Sequence, residues 1–386
     1  MEHLDRTINA FTKLGNFLRE FTKEPPDPAR AWSEEIRNAV GNAHLANNWF
    51  TIENLYFALR VWGEALQEEK VKRWLQPYFS VLPKSPSMRN VFVIMAGNIP
   101  LAGLHDMLCV LASGNRFIGK MSSKDDKLLK IVAGYLSDIE PQFGDCIEFT
   151  DSKPLTFDAV IATGTDLSER YFNYYFGRYP HIFRRNRNSV AILTGDESRD
   201  ELKKLGDDIF TYFGLGCRSV SKIYVPDGYD FGKMAEAFLA YSNIINHAKY
   251  GNNYDYQKAI FLLNKVNFHD TGFFMIKEDR SFSSPVAVLH YEQYGNREEL
   301  LSELREASDR LQCIAGSKEL IHYSGIKKQN DHGGSVPLSP YSLIPPDSYR
   351  DPYSPLIEFG KTQKPDLWEY ADGADTVGFL LKLKGD

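Results

Sequence analysis

The amino-acid sequence predicts an α/β protein with a helical N-terminal segment and two regions in which strands and helices alternate. Residues 1–85 carry apolar patterns of helical period. From Asn90, short apolar runs alternate with helical stretches, as in parallel βαβ units, and a second alternation begins at Ser189. The chain of 386 residues exceeds the usual size of one compact core, which favours two domains.

The N-terminal segment is predicted from one apolar stripe and two further helical patterns. Apolar residues recur at three- and four-residue steps at Leu4, Ile8, Phe11, Leu14, Leu18 and Phe21. This helix is expected to end before the proline-rich stretch 24–28, because proline cannot continue a helix interior. Further helices are expected over 31–44 and 52–75, ending near the prolines of 83–86 and packing on the domain that follows.

The two alternating regions define the predicted domains. The first has expected strands at 91–95, 116–120 and 159–162 and helices at 101–112 and 124–137. The second has expected strands at 190–193, 220–225, 273–276, 286–289 and 311–315 and helices at 201–213, 231–241 and 297–310. With a boundary near Asn188, the domains are 86–188 and 189–350, and 351–386 is a C-terminal return segment with a closing strand at 377–381. Residues 325–355, rich in Ser, Pro, Gly and Tyr, are expected to be loop.

Composition excludes several classes of protein. An apolar share of 43% and a charged share of 25% are ordinary for a globular protein. The net charge of -6 and the lack of long Lys and Arg runs argue against nucleic-acid binding. The chain lacks a signal-type stretch and any run of about 18 apolar residues, so we expect a cytoplasmic protein without a membrane span. The four cysteines form no C-x-x-C pair, so neither disulfides nor a zinc site are expected.

Cys217 is the strongest candidate for chemistry. It follows Gly214 and Gly216 in a predicted loop between a helix and a strand, where a substrate can reach the sulfur. The alternative is a turn that merely contains a cysteine. The spacing of Gly214, Gly216 and Ser219 resembles a dinucleotide fingerprint, but that fingerprint must follow a strand and open a helix, and here the order is reversed.

Polar residues end three of the predicted strands in the first region. Asn98 follows the first strand, Lys120 and Ser122 the second, and the Thr163-Gly164-Thr165 stretch the third. Because parallel strands hold ligands at their carboxyl ends, these residues are expected to share one cleft. Each also has a plainer interpretation: Asn98 as a helix N-cap, Lys120 as a solvated lysine beside a capping serine, and the third stretch as a turn.

In this order the segments resemble the aldehyde dehydrogenase superfamily, and more closely its LuxC-type fatty-acyl thioester reductases, over about residues 90–315. The resemblance implies a Rossmann-like cofactor-binding domain, an α/β catalytic domain and Cys217 as nucleophile. Asn98 matches the oxyanion-hole asparagine. Lys120, with Ser122 beside it, matches the lysine that contacts the adenosine ribose or its phosphate, and Thr163, Gly164 and Thr165 match a turn near the cofactor phosphates and nicotinamide.

The resemblance also implies substrate and cofactor. It predicts reduction of a fatty acyl-CoA or acyl-protein thioester by NADPH, with NADH left open, through an S-acyl cysteine, and a homo-oligomer. Hydrolytic relatives carry a water-activating glutamate before the catalytic-domain strand, whereas the stretch from Phe183 to Arg187 has no carboxylate. This departure favours reduction over hydrolysis.

Several interpretations stay open. A cysteine acyltransferase or thioesterase without redox chemistry forms the same intermediate, and a non-catalytic homologue can keep the fold. The aromatic stretch from Tyr171 to Phe176, with Tyr179, offers surface for an acyl chain but is more typical of core packing. The histidines are assigned no role.

Overall fold

The computed structural model describes residues 2–21, 31–82, 88–125, 127–164, 166–321 and 356–383. These residues form two compact units, with the boundary between Asn186 and Arg187. Residues 356–365 belong to the second unit, and the chain from Asp366 onward belongs to the first. The proline-rich stretches 24–28 and 83–86 and the predicted loop at 325–355 lie outside the described residues. Within those residues, no helix is both long and apolar enough to cross a membrane.

The first unit is built on five strands with helices on both sides. Its elements are α1 (Glu2–Glu20), α2 (Ala31–Ala46), α3 (Ile52–Ala65), α4 (Glu68–Leu75), β1 (Asn90–Ile94), α5 (Leu104–Ala112), β2 (Arg116–Lys120), α6 (Leu128–Ile139), α7 (Pro141–Gly144), β3 (Ile147–Thr150), β4 (Ala159–Thr163), α8 (Asp166–Phe176) and β5 (His181–Arg184). The sheet is parallel, with the order β3-β2-β1-β4-β5. Strands are therefore added towards one edge of the sheet from β1 to β3 and towards the other edge from β4 to β5. The switch lies between β1 and β4, the position at which such sheets bind ligands.

The apolar stripe of α1 is part of the core of the first unit. Phe11, Leu14 and Leu18 are buried in one cluster with Trp74 of α4 and with the apolar face of α5. The opposite face of the sheet is covered by a smaller cluster that includes Phe172 and Phe176 of α8. The predicted α/β class and the helical N-terminal segment are therefore confirmed.

The second unit contains a larger, mostly parallel sheet. Its elements are β6 (Asn188–Ile192), α9 (Arg199–Phe210), β7 (Val220–Pro226), α10 (Phe231–Phe238), α11 (Ala248–Leu263), β8 (His269–Asp270), β9 (Met275–Glu278), β10 (Val288–Tyr294), α12 (Arg297–Glu306), β11 (Leu311–Gly316) and β12 (Leu356–Glu358), and the first unit then ends with α13 (Thr376–Lys382). Seven strands lie in the order β12-β11-β6-β7-β10-β9-β8, and β8 alone pairs antiparallel. Apolar clusters cover both faces.

Some predicted elements are wrong. The expected closing strand at 377–381 is the helix α13, whose first turn is capped by the Asp375 carboxylate, which accepts a hydrogen bond from the Gly378 N–H. All residues from Thr376 to Leu381 are buried, so their pattern has neither a helical nor a strand period. The helix expected from residue 101 begins at Leu104 instead, since Leu101 is left-handed with φ of 58°.

A buried ion pair fastens α13 to the first unit. The Arg184 guanidinium, at the end of β5, donates to both carboxylate oxygens of Asp106 on α5, one at 2.6 Å, and to the Thr376 hydroxyl at 3.2 Å. The Arg184 and Asp106 side chains are only 7% and 4% exposed. Burial by itself lowers the pKa of Arg184, but the charge of Asp106 outweighs it and raises that pKa above its ordinary value.

We predict that Asp106→Ala lowers the free energy of unfolding of the first unit by about 3–5 kcal/mol, because it leaves the Arg184 charge buried without its carboxylate. The matched control is Glu148→Ala, which removes the exposed Arg116–Glu148 ion pair of 2.8 Å and is expected to cost about 0–1 kcal/mol. Calorimetric unfolding measures both. Equal losses for the two variants would contradict the prediction.

Candidate functional site

The sequence-predicted residues of the first unit follow strands that end at one edge of its sheet. Asn98 follows β1, Lys120 and Ser122 end and follow β2, and Thr163 and Gly164 end and follow β4. Since β1 pairs in parallel with both β2 and β4, these carboxyl ends are neighbours. Thr165, the remaining residue of this set, lies outside the described residues.

Asn98 is exposed on the loop between β1 and α5. It does not cap α5, because the residue at the N-cap is Gly103. The plainer interpretation of Asn98 as a cap is therefore wrong. The loop is held from two sides: buried Asn47 donates through its Nδ2 to the Gly97 carbonyl at 3.2 Å, and the Leu101 N–H donates to the Asp125 carboxylate at 3.1 Å. The exposed amide is thus carried on a fixed loop.

The loops after β1 and β2 are packed directly on each other. A Cβ added at buried Gly97 would collide with the Ser122 side chain, so only glycine allows this approach. The Ser122 hydroxyl accepts from the Lys124 N–H at 3.3 Å. Lys120 is half-buried, and its ammonium donates to the Asp151 carbonyl at 3.1 Å. An ammonium has three N–H donors, so this bond leaves donors for a ribose hydroxyl or a phosphate oxygen.

Thr163 and Gly164 end β4 beside β5. Thr163 pairs with Arg184, and the Gly164 N–H donates to the Arg184 carbonyl at 3.4 Å. A Cβ at Gly164 would lie 2.7 Å from the Ser168 Cβ and 2.9 Å from the Phe172 ring, so the backbone comes close to α8 at this point. Both residues are half-buried.

Cys217 lies in the second unit, in a tight turn just before β7. The Ser219 N–H donates to the Gly216 carbonyl at 2.9 Å, and the Gly216 N–H donates back to the Ser219 hydroxyl oxygen at 3.2 Å. The Ser189 hydroxyl donates to the Cys217 carbonyl at 2.9 Å. These bonds fix the turn while leaving Cys217 exposed.

The backbone that leads into this turn is strained. Tyr212, Phe213 and Gly214 have φ of 55°, 59° and 74°, so three successive residues are left-handed. Such a conformation is unusual for a bulky residue and costs on the order of 1–3 kcal/mol at each non-glycine position. The side chains of Tyr212 and Phe213 are buried, and the Phe213 ring lies 4.3 Å from the His247 ring, measured between centroids. Packing therefore maintains the strained segment that follows α9 and turns the chain towards Cys217.

The other three cysteines are buried thiols. Burial raises the pKa of Cys109 well above its ordinary value and also raises that of Cys146. It raises the pKa of Cys313 to about 12, although the charge of Arg218 and a hydrogen bond with Ser189 oppose the rise. Because the thiolate is the nucleophile, these three residues are poor candidates for covalent chemistry.

The stretch before β6 supplies no free carboxylate. Between Phe183 and Arg187, Arg184 is buried and binds Asp106 on both oxygens. The Asp106 carboxylate is thus neutralised by Arg184 and buried away from water. The aromatic helix expected as core or acyl surface is divided: Phe172 and Phe176 are buried, while Tyr171, Tyr174 and Tyr175 are exposed.

Three residues that position the Cys217 turn were not predicted to do so from the sequence. Ser189 and Ser219 hold the turn directly, and the Gln363 side chain donates to the Ser219 hydroxyl oxygen at 3.1 Å. A signal existed for Ser189, since its hydroxyl lies in a mostly apolar inner strand and must find a partner when buried. Gln363 is too distant in sequence to be connected to Cys217 without the fold.

Comparisons with known proteins identify the fold. No protein-family model and no curated protein sequence matches the chain. Among solved structures, aldehyde dehydrogenase 21 from Physcomitrella patens in complex with succinate is similar over 91% of this chain and 82% of its own, with a TM-score of 0.57 and 12% identity. An NAD+ complex of an aldehyde dehydrogenase from Bacillus cereus matches over 85% and 74%, with a TM-score of 0.55 and 12% identity.

An NADP-dependent enzyme of E. coli is similar to the same degree. It matches over 84% of this chain and 78% of its own, with a TM-score of 0.55 and 12% identity. At such low identity these likenesses establish the fold alone. The predicted aldehyde dehydrogenase-like fold class is confirmed.

Proposed function

We propose that this protein reduces fatty acyl thioesters to aldehydes with a nicotinamide cofactor, using Cys217 as a covalent nucleophile. The observation that carries the proposal is the contrast among the cysteines: Cys217 is exposed on a fixed turn, whereas the other three are buried. The aldehyde dehydrogenase-like fold supports it, since solved structures with this fold include NAD+ and NADP-dependent enzymes.

The covalent step belongs to Cys217. Its thiolate attacks the carbonyl carbon of a fatty acyl-CoA or acyl-protein thioester, a new carbon–sulfur bond forms, and the carrier thiolate leaves and takes up a proton. The exposed Asn98 amide donates to the oxyanion that develops on the carbonyl, with the Cys217 N–H as a second donor. After reduction, the tetrahedral hemithioacetal collapses to release the aldehyde and regenerate the Cys217 thiolate.

The carboxyl edge of the first sheet fits a nicotinamide dinucleotide. Gly97 and Gly164 let the backbone come close where side chains would collide, and Lys120 keeps N–H donors at the end of β2. In the proposal, Lys120 and Ser122 bind the adenosine ribose or its phosphate, and Thr163, Gly164 and Thr165 line the diphosphate. When bound, the reduced nicotinamide supplies a hydride. NADPH is the preferred cofactor in this proposal, with NADH as the second choice.

Reduction is favoured over hydrolysis because no carboxylate is available to activate water in the stretch 183–187. Arg184 in this stretch donates hydrogen bonds to both carboxylate oxygens of the buried Asp106. Without a carboxylate that activates water, the S-acyl intermediate persists long enough to react with a hydride. The proposed product is therefore the aldehyde and not the free acid.

Cys217→Ala should abolish covalent labelling by a radioactive or isotopically marked long-chain acyl-CoA, because the attacking sulfur is gone. Cys146→Ala, which removes a buried thiol of the first unit, is the matched control and should label like the unaltered protein. Intact-mass spectrometry followed by peptide mapping measures the adduct. An acyl group that still attaches to the Cys217→Ala protein would refute the assigned nucleophile.

Asn98→Ala should lower kcat for thioester reduction by about a hundred- to a thousandfold, the usual loss for one oxyanion donor. The control is Asn42→Ala, which removes another exposed amide of the first unit, one that donates to the Asn38 carbonyl within α2. Steady-state kinetics with saturating acyl-CoA and nicotinamide distinguish the two. A kcat within twofold of the unaltered protein would remove Asn98 from the mechanism.

Lys120→Ala should raise the KM for the reduced nicotinamide and leave the rate of Cys217 acylation unchanged, because it removes charge and donors from the cofactor site only. Lys130→Ala, an exposed lysine on α6, is the matched control. Cofactor titrations at fixed acyl-CoA give both KM values. An unaltered KM in the Lys120 variant would contradict its assignment.

A further inference from the structure

A buried carboxylate lies on the last turn of α9, the helix that precedes the Cys217 turn. Asp208 is only 1% exposed. Its Oδ2 accepts from the Gly360 N–H at 2.7 Å, and its Oδ1 accepts from the Thr362 N–H at 3.0 Å and from the Thr362 hydroxyl at 2.7 Å. No cation among the described residues forms an ion pair with it, so the segment 360–362 supplies the hydrogen bonds that hold this charge.

The donors of this segment require a carboxylate as their partner. Two N–H groups and one hydroxyl meet a single side chain, and an ionised carboxylate accepts on both oxygens without presenting a hydrogen. Burial raises the pKa of Asp208 to about 6, although the bonds from Gly360 and Thr362 oppose the rise, so the group is mostly ionised at neutral pH. Thr362 is fully buried, so water cannot replace an acceptor that is lost.

The segment that Asp208 binds is packed closely between α9 and β11. Gly360 is left-handed with φ of 81°, and a Cβ added there would lie 3.0 Å from the Lys204 Cβ on α9. On the other side, the N–H of the buried Phe359 donates to the Gly316 carbonyl at the end of β11 at 3.1 Å. The segment therefore has one fixed position, and Asp208 binds the part of it that lies on α9.

The next residue of the segment contacts the nucleophile turn. Gln363 is 8% exposed, and its side-chain amide donates to the Ser219 hydroxyl oxygen at 3.1 Å. The same oxygen accepts from the Gly216 N–H at 3.2 Å, which closes the turn. Since α9 itself leads into this turn, the chain and these hydrogen bonds form a closed ring from Asp208 through Gln363 and Ser219 and back to α9.

We propose that Asp208 is a positioning residue for Cys217, which acts through Gln363 to keep the nucleophile turn in the geometry that the covalent step requires. The proposal rests on the proposed function and adds to it a residue that touches neither substrate nor cofactor. When the segment 360–362 is released, Gln363 no longer holds Ser219, and the Cys217 N–H loses its fixed direction towards the oxyanion. The loss falls on kcat and not on the KM for the thioester.

Hydrogen exchange at the Gly216 and Ser219 amides, which both donate within the turn, tests the turn without any substrate. At neutral pH, Asp208→Asn should accelerate exchange at both amides by about tenfold, the factor expected when a hydrogen bond to a charged group is lost. The matched control is Asp207→Asn, which removes the same charge from the neighbouring, exposed residue, whose carboxylate accepts from the Tyr241 hydroxyl at 2.8 Å. The control should leave exchange in the turn unchanged. Mass spectrometry with fragmentation that resolves single amides measures these rates.

Two further variants test the route through Gln363. Thr362→Val keeps the side-chain shape and removes one of the three bonds to Asp208, so it should accelerate exchange in the same direction by a smaller factor, and it replaces Asp208→Asn if that protein does not fold. In a Gln363→Ala background, either substitution should add no further change, whereas a general loosening of α9 would act equally in both backgrounds. An undiminished effect in the Gln363→Ala protein overturns the proposal. So does unaltered exchange in the turn of the folded variants that lack a bond to Asp208.

Steady-state kinetics separate this proposal from the proposed function. Asp208→Asn should lower kcat for thioester reduction by about tenfold and leave the KM for acyl-CoA within about twofold, as expected for a group that acts on the reacting geometry alone. If exchange responds as expected but acyl-CoA never labels Cys217, Asp208 positions the turn and the reductase assignment is wrong. If the Asp208→Asn protein reduces acyl-CoA with an unaltered kcat, the reductase assignment stands and the role given to Asp208 is wrong.

Discussion

The run of left-handed residues at Tyr212, Phe213 and Gly214 is the constraint on which the proposed chemistry depends. It follows the end of α9 at Phe210, and the following turn from Gly216 to Ser219 presents a cysteine to solvent at the start of a central strand. Two of the three residues are bulky, so the strain persists only because both side chains are buried in packed surroundings. The packing of these two side chains thus keeps the Cys217 sulfur accessible to solvent.

In the first unit, the candidate site depends instead on parallel strands whose carboxyl ends lie at one edge of the sheet. With the order β3-β2-β1-β4-β5, residues that follow β1, β2 and β4 reach one edge although more than sixty positions separate Asn98 from Thr163. Gly97 permits the loops after β1 and β2 to touch, and Asp125 ties them through the Leu101 N–H. The edge is consequently a rigid surface with exposed donors, as binding of a dinucleotide requires.

The sequence predicted the fold class and the helix–turn–strand context of Cys217, because periodicity and paired glycines are local signals. It failed where the signal was not local. The fully buried run at 377–381 lacks a period and was predicted as a strand, although Asp375 caps a helix there. Helix α11 was missed because its apolar residues are spread around its surface. The edge strands β3 and β5 were missed because charged and polar residues interrupt their apolar residues, so neither forms an apolar run. The bonds of Ser189 and Gln363 to the turn depend on tertiary structure alone.

The most direct measurement follows the fate of an acyl group on Cys217. The acylated protein is freed of excess acyl-CoA and mixed with NADPH, while absorbance of the reduced nicotinamide and release of aldehyde are recorded together. The account predicts that one reduced nicotinamide is oxidised for each acyl group lost and that aldehyde appears in equal amount. Loss of the acyl group to water or to an added thiol, with both NADPH and NADH left unoxidised, would contradict it.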